Sequence, residues 1–159
     1  MHGSIRRGYG GSDIVSAEYN VKRYPAACQR VFAAPWDMTI TPLDTCGLVT
    51  LRGDKYRTVA RCEAPLVQAL MANYRIWAAH AQWGRQLDPE VESSTLFDTV
   101  AVYLALSEQL LVMEDLGIRV TDEGYTVMDE SARMVHCATA WRDLPAFKDF
   151  LVRRLIGSA

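Results

Sequence analysis

Apolar side chains recur along this chain in two rhythms, and the rhythms predict where helices and strands lie. Between Ala64 and Gln82 they return at helical spacing, through Leu66, Val67, Leu70, Met71, Tyr74 and Trp77-Ala78, with Pro65 at an N-terminal position and Gly84 beyond the end. A shorter helix is expected from Pro25 to Ala33, where Ala26, Ala27 and Val31 follow a first-turn proline and Ala34-Pro35 closes the run. Thr99 to Val112 is apolar enough for a largely buried helix, although Val100, Val102 and Tyr103 lower its propensity and its end could equally belong to a strand. Asp143-Leu144-Pro145-Ala146 opens a last helix over 143–156, with Phe147, Phe150, Leu151 and Leu155 at core spacing and Arg153-Arg154 at its negative end.

The other rhythm is alternation. Trp36 to Thr41 reads as a strand halted by Pro42, and the stretches Leu116–Val120, Tyr125–Asp129 and Met134–Ala140 read as short strands in an antiparallel or mixed arrangement. Residues 1–17 are glycine-rich and aperiodic, which predicts an irregular loop of the kind that often lines a site. A polar stretch containing Pro89 predicts a surface loop between the long helix and the next apolar run. Strands interleaved with helices give an α/β fold class, and 1–159 is expected to form a single domain.

Composition narrows the function classes. At 159 residues the chain is long enough to bury a real core, and half of its residues are apolar. The net charge is −2, and the basic residues are scattered apart from Arg6-Arg7 and Arg153-Arg154, so no stripe exists to neutralise a nucleic-acid backbone. No apolar run approaches the roughly 20 residues of a membrane span, and the first residues lack the apolar centre of a secretory signal, so the sequence predicts a cytoplasmic protein without a membrane partner. Cys28, Cys46, Cys62 and Cys137 show no C-x-x-C spacing, which favours reduced packing residues over a zinc site.

Two short segments carry candidate chemistry. In Ala17-Glu18-Tyr19-Asn20, an extended backbone would place Glu18 and Asn20 on one face, where a carboxylate accepts hydroxyl hydrogen bonds and an amide both donates and accepts. The same two residues could instead cap the helix that follows, or sit solvated in a loop. Asp98, ahead of an apolar run, is either a helix cap or a ligand-binding carboxylate. The paired acids Glu114-Asp115, Asp122-Glu123 and Asp129-Glu130 read as solvated turns, Trp77 as core, and His80 as a partly exposed helix residue.

Ala17-Glu18-Tyr19-Asn20 with Pro25-Ala26-Ala27 resembles the A-E-[FW]-N and helix-start stretches of the inosine/uridine-preferring nucleoside hydrolase family. Met1-His2-Gly3-Ser4 is similar to the family's M-G-G-[SA] strand end, with His2 in place of a glycine. Phe97-Asp98-Thr99-Val100-Ala101 is similar to its H-D-P-[LC]-A-[VA] motif. The resemblance runs from Met1 through the last helix and corresponds to the distal half of a protein about twice as long; it implies the C-terminal portion of a nucleoside-hydrolase-like fold, with mixed strands and flanking helices.

By that resemblance the activity is hydrolysis of the N-glycosidic bond of ribonucleosides. Glu18, Asn20 and Ser12 would contact the ribose, Trp83 would stack on the base, and Asp98 would ligate Ca²⁺. Phe97 departs from a family histidine assigned to protonate the leaving base, and the family's aspartate-rich D-T-D-x-G-x-D-D segment does not occur, so the catalytic aspartates are expected on a complementing N-terminal half. A half-fold exposes sheet edge and apolar surface, which implies a homo-oligomer or such a complementing partner. Two alternatives stand beside it: a non-catalytic sugar- or nucleoside-binding or interaction module on the same scaffold, and a glycosidase using Glu18 and Asp98 as paired carboxylates.

Overall fold

The computed structural model describes residues 1–82 and 84–157. In chain order its elements are α1 (Tyr19–Arg23), α2 (Pro25–Ala33), β1 (Thr39–Ile40), α3 (Leu43–Cys46), α4 (Gly53–Ala60), α5 (Pro65–His80), α6 (Asp98–Leu104), β2 (Leu111–Val120), β3 (Thr126–Met128), β4 (Met134–Trp141) and α7 (Leu144–Ile156), with single 3-10 turns at Tyr9–Gly11 and Gly84–Gln86. The chain is a mixed α/β protein, and its residues gather into two compact units.

Unit 1 comprises Met1–Leu48 and Phe97–Arg142. Its sheet has the order β1-β4-β2-β3, with β1 parallel to β4 and the other neighbours antiparallel. Thr39 and Ile40 pair with His136 and Cys137, while Leu111 opposite Trp141 and Gly117 opposite Met134 fix the long β2/β4 ladder. One face of this sheet is closed by Ile5, Val21 and Phe32, which pack with Ile40, Ile118, Val120, Val135 and Cys137. These β-branched strand positions and the small buried thiol alternate as a half-buried pleat requires.

Unit 2 comprises Val49–Leu96 and the chain from Asp143 onward. Here α4, α5 and α7 enclose Leu51, Tyr56, Val59, Val67, Met71 and Val152. α5 buries Val67, Met71 and Ala78, a stripe at helical spacing. At the start of α7 the Asp143 carboxylate accepts the Ala146 N–H at 2.8 Å, filling one of the orphan positions of a helix start.

Three expectations change. The apolar run from Thr99 is helical only to Leu104; Ser107 Oγ then accepts the Gln109 N–H at 3.2 Å in a turn, and Leu111 onward joins β4, because ladder pairing and full burial of Leu111 outweigh the helical rhythm. The strand expected over 36–41 shrinks to two residues, with Trp36 exposed. Trp77 is not core: it is 39% exposed and stacks on Tyr74 with ring centroids 6.0 Å apart. Among the described residues no helix is long and apolar enough to cross a membrane.

Candidate functional site

The candidate site lies within unit 1 and is built on its first residues. The N–H of His2 donates to Thr41 O at 2.9 Å, and the residue forms a parallel bridge with Pro42, so the chain start extends the sheet edge next to β1. The His2 ring is buried, packs at a 53° tilt against Phe32 with centroids 4.5 Å apart, and shares a 2.7 Å hydrogen bond through Nδ1 with Thr126 Oγ1. Burial lowers its pKa to about 4. A Cβ at Gly3 would stand 2.7 Å from Thr126 Oγ1 and 3.3 Å from the Glu18 nitrogen, so only glycine lets this strand end pass so close to Glu18.

Residues 5–15 form a loop whose neck is pinned by two hydrogen bonds, from the Ser4 N–H to Ser16 O and from the Ser16 N–H to Ser4 Oγ. Its base is held by Asp44 of α3, a buried carboxylate that accepts the N–H groups of Ile5, Arg6 and Arg7 at 2.8, 2.7 and 2.9 Å. The Arg6 guanidinium reaches β2 and donates in a fork to Glu114, at 2.6 and 2.9 Å. That fork, joined by the Thr139 hydroxyl, holds the Glu114 carboxyl down at about 2. Glu114 is therefore a structural anchor rather than a solvated turn residue. Its neighbour Asp115 points to the opposite face and meets His136 Nδ1 at 2.6 Å.

Glu18 is buried, and its carboxylate caps α1. Oε2 accepts the N–H groups of Asn20 and Val21 at 2.8 and 3.1 Å, and Oε1 accepts the Asn20 side-chain amide at 3.1 Å. The extended segment expected here is helical from Tyr19, so Glu18 and Asn20 meet by a hydrogen bond across a helix start instead of by sharing a strand face. The carboxylate accepts three hydrogen bonds here, and Asn20 itself is exposed.

Tyr9, at the loop tip, connects the two sequence segments. Its ring meets Phe97 edge-on, with centroids 5.9 Å apart and an interplanar angle of 88°. Its hydroxyl accepts the Tyr19 backbone N–H, while burial and the charge of Glu18 raise the phenol's pKa. Asp98 is exposed at the first position of α6, one residue after the N-cap position held by Phe97, and its charge suits the positive end of that helix.

Cys46 shows how near the carboxylates come. Burial pushes this fully buried thiol up to about 12, and the charges of Glu18 and Asp98 both add to the push. Glu18 and Asp98 are thus both within electrostatic reach of Cys46. Ser12 stands exposed at the end of the 3-10 turn with its Oγ accepting the Ile14 N–H at 3.1 Å, and Trp83 lies outside the described residues.

A calcium ion takes 6–8 oxygen ligands, and among the described residues no group of three or more His, Cys, Asp or Glu side chains could hold a metal. The described residues of this chain do not by themselves make a Ca²⁺ site.

The sequence model described as inosine-uridine preferring nucleoside hydrolase matches residues 1–149. The chain belongs to this nucleoside hydrolase family. Solved structures agree at the level of fold. A plant nucleoside hydrolase superposes with a TM-score of 0.78 at 16% identity, over 98% of this chain and 52% of its own. A purine-preferring ribonucleoside hydrolase from Gardnerella vaginalis gives 0.73 at 18% identity, over 99% and 51%. An inosine-uridine preferring nucleoside hydrolase from Bacillus anthracis gives 0.62 at 20% identity, over 83% and 40%. The chain spans about half the length of these hydrolases or less. No curated protein sequence matches it.

Within this nucleoside hydrolase fold, sequence reasoning missed Asp44. Nothing in Pro42-Leu43-Asp44-Thr45-Cys46 announces that its carboxylate faces amides 37 to 39 residues upstream; the only available signal was an acid inside an otherwise apolar run.

Proposed function

We propose that this chain forms the sugar-recognising part of a nucleoside N-ribohydrolase site. Glu18 and Asn20 grip the ribose hydroxyls, Ser12 donates its hydroxyl from the loop tip, and Asp98 adds negative charge to the same site. The observation that carries this reading is the family match over residues 1–149, a span that includes Ser12, Glu18, Asn20 and Asp98. Cleaving a C1′–N bond builds positive charge on the sugar, and carboxylates held close by favour that charge more strongly in a site shielded from water.

Proton supply to the leaving base is the weak point of this half. Phe97 has no proton to give, the Tyr9 phenol and the Cys46 thiol are both pushed upward, and His2 is neutral above about pH 4. Leaving-group activation, most of the metal ligation and the attacking water then fall to a complementing N-terminal half, with Asp98 contributing one Ca²⁺ ligand to the completed site in a cytoplasmic enzyme. A second reading, a non-catalytic riboside-binding module, is favoured by the same Phe97 and by the lack of a ligand cluster among the described residues.

Calorimetric titration with ribose, inosine and uridine, with and without calcium, tests both. Ribose and both nucleosides are expected to bind, and Asn20→Ala, a change at an exposed position, should weaken binding about tenfold, the worth of one good hydrogen bond. Affinity unaffected by calcium, with no hydrolysis when an N-terminal half is supplied, selects the binding module. No binding of any of the three ligands refutes the sugar-recognition reading.

A further inference from the structure

We propose that Asp44 is the positioning residue of the recognition loop: its buried carboxylate, gripping three successive amides, sets where Tyr9 and Ser12 stand relative to Glu18 and Phe97. The functional part of this inference rests on the sugar-recognition reading; the geometric part does not.

Three consecutive N–H groups turned toward one acceptor make a concave anion cradle, and here the anion is a side chain of the same molecule. Charge-assisted bonds of this kind are roughly twice as strong as neutral ones. The platform beneath them is fixed. Thr45 Oγ1, next in sequence, donates to Ala138 O of β4 at 3.0 Å, and Trp141 Nε1 donates to Thr45 O at 3.0 Å, so α3 is tied to the sheet at two points. Cys46 on the same turn is wholly buried.

Beyond Arg7 the two limbs are joined by the Arg7–Asp13 ion pair, and the tip itself is built largely of glycine. Gly8, Gly10 and Gly11 flank Tyr9, and Gly10 and Gly11 adopt φ of 63° and 83°. The tip hydrogen bonds, from the Gly8 N–H to Ser12 O and from the Ser12 N–H to Tyr9 O, lie within the tip itself and do not anchor it elsewhere. A Cβ on Gly8 would fall 2.0 Å from Ile14 O, so the two limbs of the loop touch just past the Asp44 grip. Tyr9 begins two residues beyond the last gripped amide. The direction in which residues 5–7 leave Asp44 therefore fixes the approach of the Tyr9 ring to Phe97 and of its hydroxyl to Tyr19.

The test uses the full chain. Asp44→Asn keeps the shape but replaces one accepting oxygen with an amide that cannot accept. The expected result is a folded protein whose Tyr9–Phe97 ring-to-ring NOE is lost, whose Ile5, Arg6 and Arg7 amides exchange at least tenfold faster, and whose folded fraction binds ribose about tenfold more weakly, beyond any shift of the unfolding midpoint. A purely structural residue would shift the midpoint and leave the affinity of the folded fraction unchanged. Retention of the NOE and of slow exchange in Asp44→Asn overturns the proposal.

Should Asp44→Asn not fold, hydrogen exchange in the unaltered chain decides. Amides 5–7 are expected to exchange at least a hundredfold slower than those of Gly10 and Gly11, and equal rates overturn the proposal. If the unaltered chain binds no ribose, the sugar reading fails, while the NOE and exchange data still decide whether Asp44 holds the loop.

Discussion

His2 gives the sharpest quantitative prediction. Its ring is buried against Phe32, bonded to Thr126 through Nδ1, and has no hydrogen-bond partner at Nε2 among the described residues, so protonation would place a charge where none of them receives it. With the pKa lowered from 6.5 to about 4, the folded protein binds fewer protons than the unfolded chain between those values. This contribution to stability is complete above pH 6.5 and drains away as the pH falls toward about 4. Taking the two values at face, the loss between pH 6.5 and pH 4.5 is about 2 kcal/mol.

The other shifted groups act at the edges of that window or beyond it, Glu90 and Glu114 beginning to lose their contribution near pH 4.5. Glu114 and Asp129, both held at about 2, give stability that is present above their ordinary values of 4.5 and 3.8 and is lost only below them. His136 is shifted upward by its bond to Asp115, so its contribution is complete below 6.5 and is lost as the pH rises through its folded value. Urea unfolding at pH 4.5, 5.5 and 6.5 reads the effect. With a slope of about 2 kcal/mol per molar, the midpoint should fall by about 1 M across the range. In His2→Asn, which keeps a polar atom opposite Thr126 but cannot titrate, the midpoint should start lower and stay nearly flat. An equal pH dependence in both proteins refutes the reasoning.

Glu18→Ala removes the α1 cap and leaves the Asn20 and Val21 amides without their acceptor, and should cost about 1–2 kcal/mol in chemical denaturation. For His136, flanked by Asp115 at 2.6 Å and Glu108 at 3.2 Å, an NMR titration should find a pKa above 6.5 that moves back toward that value in Asp115→Asn.

Elements with a local signature were legible in the sequence. α2 and α5 each carry proline in the first turn and apolar residues at helical spacing, and both form within two residues of the expected bounds. The valine-rich stretches became β2, β3 and β4 because β-branched alternation suits a half-buried ladder. α4 was not foreseen, since it starts on Gly53 at φ 57° and buries only Tyr56 and Val59.

The site was legible in part. Glu18 and Asn20 are neighbours, as short spacing allows, yet their meeting is a helix cap as well as a candidate sugar grip, and local sequence cannot separate two roles that use the same hydrogen bonds. The Asp44 grip, the Arg6–Glu114 fork and the Tyr9–Phe97 contact depend on how the loop folds back over α3 and β2, and no local pattern encodes that.

The central claim is that Glu18, Asn20 and Asp98 face one riboside. Amide and side-chain shift mapping on the labelled full chain, titrated with ribose and then inosine, tests it most directly. The account predicts saturable shifts at Ser12, Glu18, Asn20 and Asp98 with a single dissociation constant. Shifts confined elsewhere, such as the shallow hollow lined by Gln29 and Asp122, or no shifts at millimolar ligand, would contradict it.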